Sequence, residues 1–163
     1  ALALSDGIAL AASWRSNVSQ SDKRIAAFSN NAQWFAIEAE TGGAQGYTRT
    51  SSGDISASDQ NSANSAGNNY GIYMTDNDGR YGSSSKTSFH CNGPFRSSST
   101  TITTQTITFD QCSIGALYRT SPVSFFNGQV PAVAFWSREL TTFEVNEYNN
   151  TKGASIYKML IPK

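Results

Sequence analysis

The sequence predicts an all-β domain: a two-sheet antiparallel jelly-roll sandwich with one short helix near residues 142–149. Three observations lead there. Short segments of alternating apolar and polar residues recur along all 163 positions. Breaks rich in Gly, Asn, Asp and Ser separate them. A single stretch, Thr141–Gly153, carries both a helix start and a helix stop.

In chain order, Ile8–Trp14 is a strand whose set Ile8, Leu10, Ala12 and Trp14 faces the core. Arg24–Phe28 follows. Gln33–Glu40 alternates with Trp34, Ala36, Glu38 and Glu40 on one face and Phe35, Ile37 and Ala39 on the other. Gln45–Thr50 returns beside it. Ser51–Asn69 holds Ile55 as its single large apolar residue and reads as a loop. Tyr70–Met74 and Lys86–Cys91 are strands, joined through an Asp-Gly turn at Asp78–Gly79. Asn92–Gly93 signals a two-residue hairpin, and Ser97–Thr101 reads as a bend. Ile102–Phe109, Cys112–Tyr118 and Val123–Phe126 complete the middle of the sandwich. Ser155–Ile161 alternates and is expected to close a sheet beside the N-terminal strand.

The stretch 126–153 is the best-specified part. Gln129–Trp136 is almost continuously apolar, as befits a strand covered on both faces. Pro131 lacks an N–H, which places it on an edge strand or at a bulge. Thr141 and Glu144 fit a capping box. Two to three helical turns are too few to hold alone, so Leu140, Val145 and Tyr148 must dock.

These same residues carry a family resemblance. Phe135–Leu140 and Glu144–Tyr148 resemble the closing strand and helix of laminin-G-like, concanavalin A-like lectin/glucanase domains. FHCNG at Phe89–Gly93 and FDQCSIGA at Phe109–Ala116 resemble earlier family segments, in the right order. The likeness covers residues 70 to 150; over 1 to 70 only the strand pattern agrees. It implies one domain over 1–163 and a non-enzymatic lectin-like binding or structural module. Such modules resemble the decoration, fibre and tail-appendage proteins of bacteriophage virions. There they attach to surfaces or stabilise the particle as homo-oligomers, with glycans or other virion proteins as partners. The alternative is a secreted, extracellular carbohydrate-binding domain of a larger protein. A third reading is a glycoside hydrolase.

Composition sets bounds. Twelve acidic and twelve basic residues cancel, and 15% of the chain is charged, which argues against nucleic acid and anionic membranes as partners. No apolar run approaches the roughly 20 residues of a membrane span. Residues 1–12 lack a basic leader and are not read as a signal peptide. Cys91 and Cys112 are either two buried free thiols or one bridge between neighbouring strands.

Chemistry is sparse. His90 is the one histidine and is expected half-exposed on its strand. Glu38 and Glu40 lie two apart, about 7 Å along one strand face. Paired carboxylates serve glycosidases, but the glucanase pattern E-x-D-x-x-E is broken here by Glu40 and Gly43. The two acids are therefore expected as solvated groups on an outer face, and no catalytic residue is assigned. Asp76 and Asp78 offer oxygen ligands that suit calcium; no other cofactor is expected. Aromatic rings near loops can stack on sugars. They are Tyr47, Tyr70, Tyr81, Phe95 and Tyr118, of which Tyr70, Tyr81, Phe95 and Tyr118 are the candidate ligand-binding residues. Trp14, Trp34 and Trp136 are expected in the core.

Overall fold

The computed structural model describes residues 2–3, 7–51, 53–59, 67–78, 80, 85–93, 97–100 and 107–154. In chain order the strands are β1 (Leu2–Ala3), β2 (Ala9–Ser16), β3 (Lys23–Ser29), β4 (Trp34–Glu40), β5 (Gly43–Thr50), β6 (Gly53–Asp59) and β7 (Asn69–Thr75). They continue as β8 (Ser85–Cys91), β9 (Ser97–Thr100), β10 (Thr108–Phe109), β11 (Gln111–Ile114), β12 (Leu117–Tyr118), β13 (Pro122–Val123) and β14 (Gly128–Trp136). One helix, α1 (Thr142–Asn150), follows. Two five-stranded antiparallel sheets form the sandwich: β14-β2-β7-β8-β9, the helix-side sheet, and β11-β3-β4-β5-β6, the open-side sheet.

The core lies between the sheets. Strand alternation sends Leu10, Ala12 and Trp14 inward from β2, with Ile8 just before it, as expected, against Phe28, Phe35, Ile37 and Ala39. Tyr73 stacks on Phe35 with ring centroids 4.0 Å apart. That close stack requires a glycine beside it. A Cβ at Gly46 would meet the Tyr73 ring at 2.1 Å, so β5 approaches the core only because residue 46 has no side chain.

The helix docks on the far face of the helix-side sheet. The capping box is present: Glu144 N–H donates to the Thr141 hydroxyl at 3.2 Å, and Thr141 N–H donates to Glu144 Oε2 at 2.8 Å. Leu140, Val145 and Tyr148 are buried there with Ala9, Ala11, Ile72, Met74, Ala134 and Trp136. So β14 is covered on both faces: Val130, Val133 and Phe135 pack on the inner core, Ala134 and Trp136 beneath the helix. Among the described residues β14 is an edge strand, and its register against β2 shifts between Gln129 and Ala132, around Pro131. A Thr141→Ala protein is expected to lose about 1 kcal/mol of folding stability. Urea unfolding measures it; an unchanged midpoint would remove the cap from the account.

Several expectations need correction. Residues 53–59 are not loop: they form β6, which pairs with β5 from Thr50↔Gly53 to Ala44↔Asp59. A neighbouring strand satisfies the backbone of a segment too polar to announce itself. Ser97–Thr100 is likewise β9 on β8, not a bend. With β8 ending at Cys91 and β9 starting at Ser97, the connection at Asn92–Gly93 is longer than two residues. Cys112–Tyr118 splits into β11 and β12 at Gly115, whose φ of +71° breaks the extended chain. The third strand pair there is short, Pro122–Val123 against Leu117–Tyr118. His90 is buried rather than half-exposed, on the second core face next to Ile72's strand. Cys91 and Cys112 are free thiols on different sheets; Cys91 is buried but Cys112 is exposed. Residues 102–106 of the expected strand Ile102–Phe109, and Ser155–Ile161, lie outside the described residues. Both edges of β2 are already taken by β14 and β7.

Candidate functional site

The helix covers the outer face of one sheet. The outer face of the other is built differently. From β4 it receives Trp34, Ala36, Glu38 and Glu40, the parity opposite to the core set. From β5 it receives Gln45, Tyr47 and Arg49, which pair with Glu38, Ala36 and Trp34 respectively. From β3 it receives Arg24, opposite Glu38. The β12–β13 hairpin folds over one end of this face. There Leu117 packs on Ala27, Trp34 and Ala36, and the Ser29 hydroxyl donates to the Tyr118 carbonyl at 2.6 Å.

Trp34 is the centre of the arrangement. Its indole stacks with Tyr47, centroids 6.2 Å apart. Three guanidinium carbons surround the same ring: Arg49 at 5.0 Å, Arg24 at 5.4 Å and Arg119 at 5.5 Å. Arg24 also lies 5.6 Å from the Tyr47 ring. Cation–π attraction of this kind contributes about 0.5–1 kcal/mol at exposed sites and more where water is excluded. It also fixes long side chains that would otherwise sample many rotamers. Arg119 is held further by donating its Nε–H to the Asn31 carbonyl at 3.0 Å.

Arg24 is buried and differs from the other two. Its Nη1 donates to the Asp22 carbonyl at 2.7 Å, and its Nη2 lies 2.8 Å from Glu38 Oε2. That approach is an ion pair by distance but is not aligned as a hydrogen bond. Glu38 is 1% exposed. Gln45 donates to Glu38 Oε1 and, at 3.0 Å, to Glu40 Oε1; the Ser21 hydroxyl donates to Glu40 Oε2 at 2.6 Å. Burial raises the Glu38 carboxyl to about 7, against the opposing pull of Arg24 and Gln45. The expected pair of solvated carboxylates is thus corrected. Both acids are on the outer face, but Glu38 is buried beside Arg24, and each acid already has protein partners. Asp22, Glu38 and Glu40 bring carboxylate oxygens within 4.8 Å of one another. Arg24 supplies the positive charge in that cluster.

The sequence-predicted positions fall elsewhere. Tyr70, on β7, is half-buried under the helix, its ring edge-on to Tyr148 at 5.8 Å and its hydroxyl donating to the Asn149 carbonyl at 3.3 Å. Tyr118 is exposed on β12, at the open-side sheet. The structure does not bring these two together. Tyr81 and Phe95 lie outside the described residues. Asp76 is buried and accepts from the Arg80 backbone N–H at 2.8 Å; Asp78 pairs with Arg80 Nε at 2.8 Å. Arg80 in turn reaches Glu139 and the Leu140 carbonyl, tying this turn to the start of α1. The Asp78 carboxyl sits below its usual range because of those Arg80 bonds. Arg24, Arg49 and Arg119 were not singled out from the sequence; Trp34 is buried as expected, at 5% exposure, but in the small cluster with Ala27, Ala36 and Leu117 on the outer face and not between the sheets. The available signal was parity: Trp34, Glu38 and Glu40 share a face that Phe35 and Ile37 do not.

Neither a protein-family model nor a curated protein matches the sequence. Solved structures do match by shape. The carbohydrate-binding module (CBM40) of the Ruminococcus gnavus IT-sialidase, bound to α2,3-sialyllactose, superposes with a TM-score of 0.73 at 11% identity. The match covers 91% of this chain and 84% of that one. This chain shares the module's β-sandwich fold. The same module bound to α2,6-sialyllactose gives 0.70 at 12% identity, over 91% and 84% of the two chains. A leech intramolecular trans-sialidase gives 0.68 at 13% identity; 93% of this chain matches 24% of that one. The sandwich therefore corresponds to about a quarter of the leech enzyme, while it spans most of the isolated module.

Proposed function

We propose that the chain is a non-catalytic carbohydrate-binding module that reads an acidic glycan on the outer face of the open-side sheet. Arg49 and Arg119 hold the anionic group of the sugar, and Tyr47 offers a ring edge to its C–H surface. Trp34 positions both guanidiniums from beneath. Arg24 is a positioning residue, neutralised by Glu38. The observation that carries the reading is the set of three guanidiniums gathered on one indole at a face that no helix covers among the described residues. It is supported by solved neighbours of the same fold that hold sialyllactose, an acidic trisaccharide. The laminin-G-like resemblance points the same way, to a lectin-like sandwich without catalytic groups. Attachment on a virion, homo-oligomeric assembly and an extracellular location have no such neighbour behind them and form no part of the proposal.

The test is calorimetric titration with 3′-sialyllactose and with lactose. The wild-type protein should bind the sialylated sugar and prefer it to lactose. Arg49→Ala and Arg119→Ala should each weaken it by about tenfold, the value of one charge-assisted contact. Equal binding of the two sugars, or unchanged affinity in the double variant, overturns the proposal.

A further inference from the structure

A second recess lies on the other sheet, away from the arginine face. It has a volume of about 380 Å³ and is formed where β2, the start of β7, the bulge of β14 and the segment after α1 converge. That volume is in the range of small-molecule sites, which combine mostly apolar walls with a few polar groups. Here Tyr70, Pro131 and Ala132 give the apolar wall, Ser13 and Asn68 give neutral polar groups, and Lys152 gives the one charge among the described residues. None of the described residues that line it is a carboxylate.

The backbone above the recess is fixed by the end of α1. Lys152 has φ +50° and Gly153 φ +81°, and a Cβ at Gly153 would come within 2.7 Å of Ser13 Oγ and 2.9 Å of Tyr70 Cβ. The backbone therefore lies close against the sheet at Gly153, while exposed Lys152 stands at the rim. This is the C-terminal turn of the helix: Lys152 N–H donates to the Asn149 carbonyl at 3.1 Å and Gly153 N–H to the Tyr148 carbonyl at 2.8 Å.

We infer that this recess is a second, independent sugar subsite, taking one acidic monosaccharide unit with its ring against Tyr70 and its anionic group toward Lys152. The chemistry follows from the lining by the described residues: an apolar wall, hydroxyl and amide groups, one cation and no anion. It does not rest on the arginine-face reading, because the two sites share no residue.

The experiment is an amide-resolved NMR titration of the whole chain with 3′-sialyllactose. It uses three proteins: wild type, Arg49→Ala/Arg119→Ala, and Lys152→Glu. Amides of Asn68, Asn69, Tyr70 and Gly153 should shift in the wild type and equally in the arginine double variant. In Lys152→Glu those shifts should need at least about tenfold more sugar, by loss of a charge-assisted contact and gain of repulsion. An Ala132→Trp protein, filling the recess from an edge strand, should lose the shifts while keeping its fold by circular dichroism. Amides at the recess that stay unmoved at saturation of the arginine face overturn the inference. So do recess shifts that vanish with the arginine variant, or that survive both Lys152→Glu and Ala132→Trp. Recess shifts with no response around Trp34 would instead remove the arginine-face reading and leave this one standing.

Discussion

Truncating Tyr148 to alanine is expected to cost about 3–5 kcal/mol of folding stability, the range for deleting a large buried aromatic group. Tyr148 is fully buried, and its ring meets Tyr70 edge-on. Its hydroxyl donates to the Ala12 carbonyl at 2.8 Å. It is therefore both the main apolar contact between α1 and the helix-side sheet and a polar tie to β2. The helix has nine residues, too few to persist without that contact. Tyr148→Phe separates the two roles. It keeps the ring and should lose about 1 kcal/mol for the missing bond. Urea unfolding of the three proteins checks both. A loss below about 1 kcal/mol for Tyr148→Ala would mean that the helix is not anchored as described.

The second large effect is in the pH dependence of stability, where two buried groups oppose one another. The Glu38 carboxyl rises from 4.5 to about 7 on folding. The folded state then binds the proton more tightly, so this group's contribution to stability falls as pH rises from 4.5 to 7. Burial lowers His90 from 6.5 to about 4. Here the unfolded chain binds the proton more tightly, so stability is lost as pH falls from 6.5 to 4. Each displacement is worth about 3 kcal/mol. Between pH 4.5 and 6.5 the two slopes cancel, and the wild-type midpoint should be nearly flat. Glu38→Gln should uncover the histidine slope, with stability rising by roughly 3 kcal/mol from pH 4 to 6.5. His90→Gln should uncover the opposite one, with stability falling by a similar amount toward pH 7. The slopes are the readout, so a constant penalty from either substitution does not disturb the test. Parallel profiles for all three proteins would show that neither group titrates as its burial implies.

What could be read from the residues depended on how strongly local chemistry fixed each element. The capping box, the apolar run 129–136 and the alternation in β2 and β4 each encode their environment within a few residues, and they stand in the structure as expected. Strands β6 and β9 do not. Their partners are supplied by β5 and β8, and a Ser-rich edge strand looks like a loop until its neighbour is known. The candidate site was hidden for a related reason. Arg24, Trp34, Tyr47, Arg49 and Arg119 come from four separate segments, and only sheet register gathers them. Burial was misjudged at Glu38 and His90 because alternation gives the direction of a side chain but not what lies above it.

The bulge around Pro131 has a consequence for how these molecules behave when concentrated. Strand β14 ends its sheet among the described residues, and an unblocked rim of amides there would invite a second copy to continue the ladder. A proline where an amide hydrogen is needed, set in a register slip, gives an incoming strand no regular template. That rim works against fibril growth, and replacing Pro131 with valine is the change that would expose it.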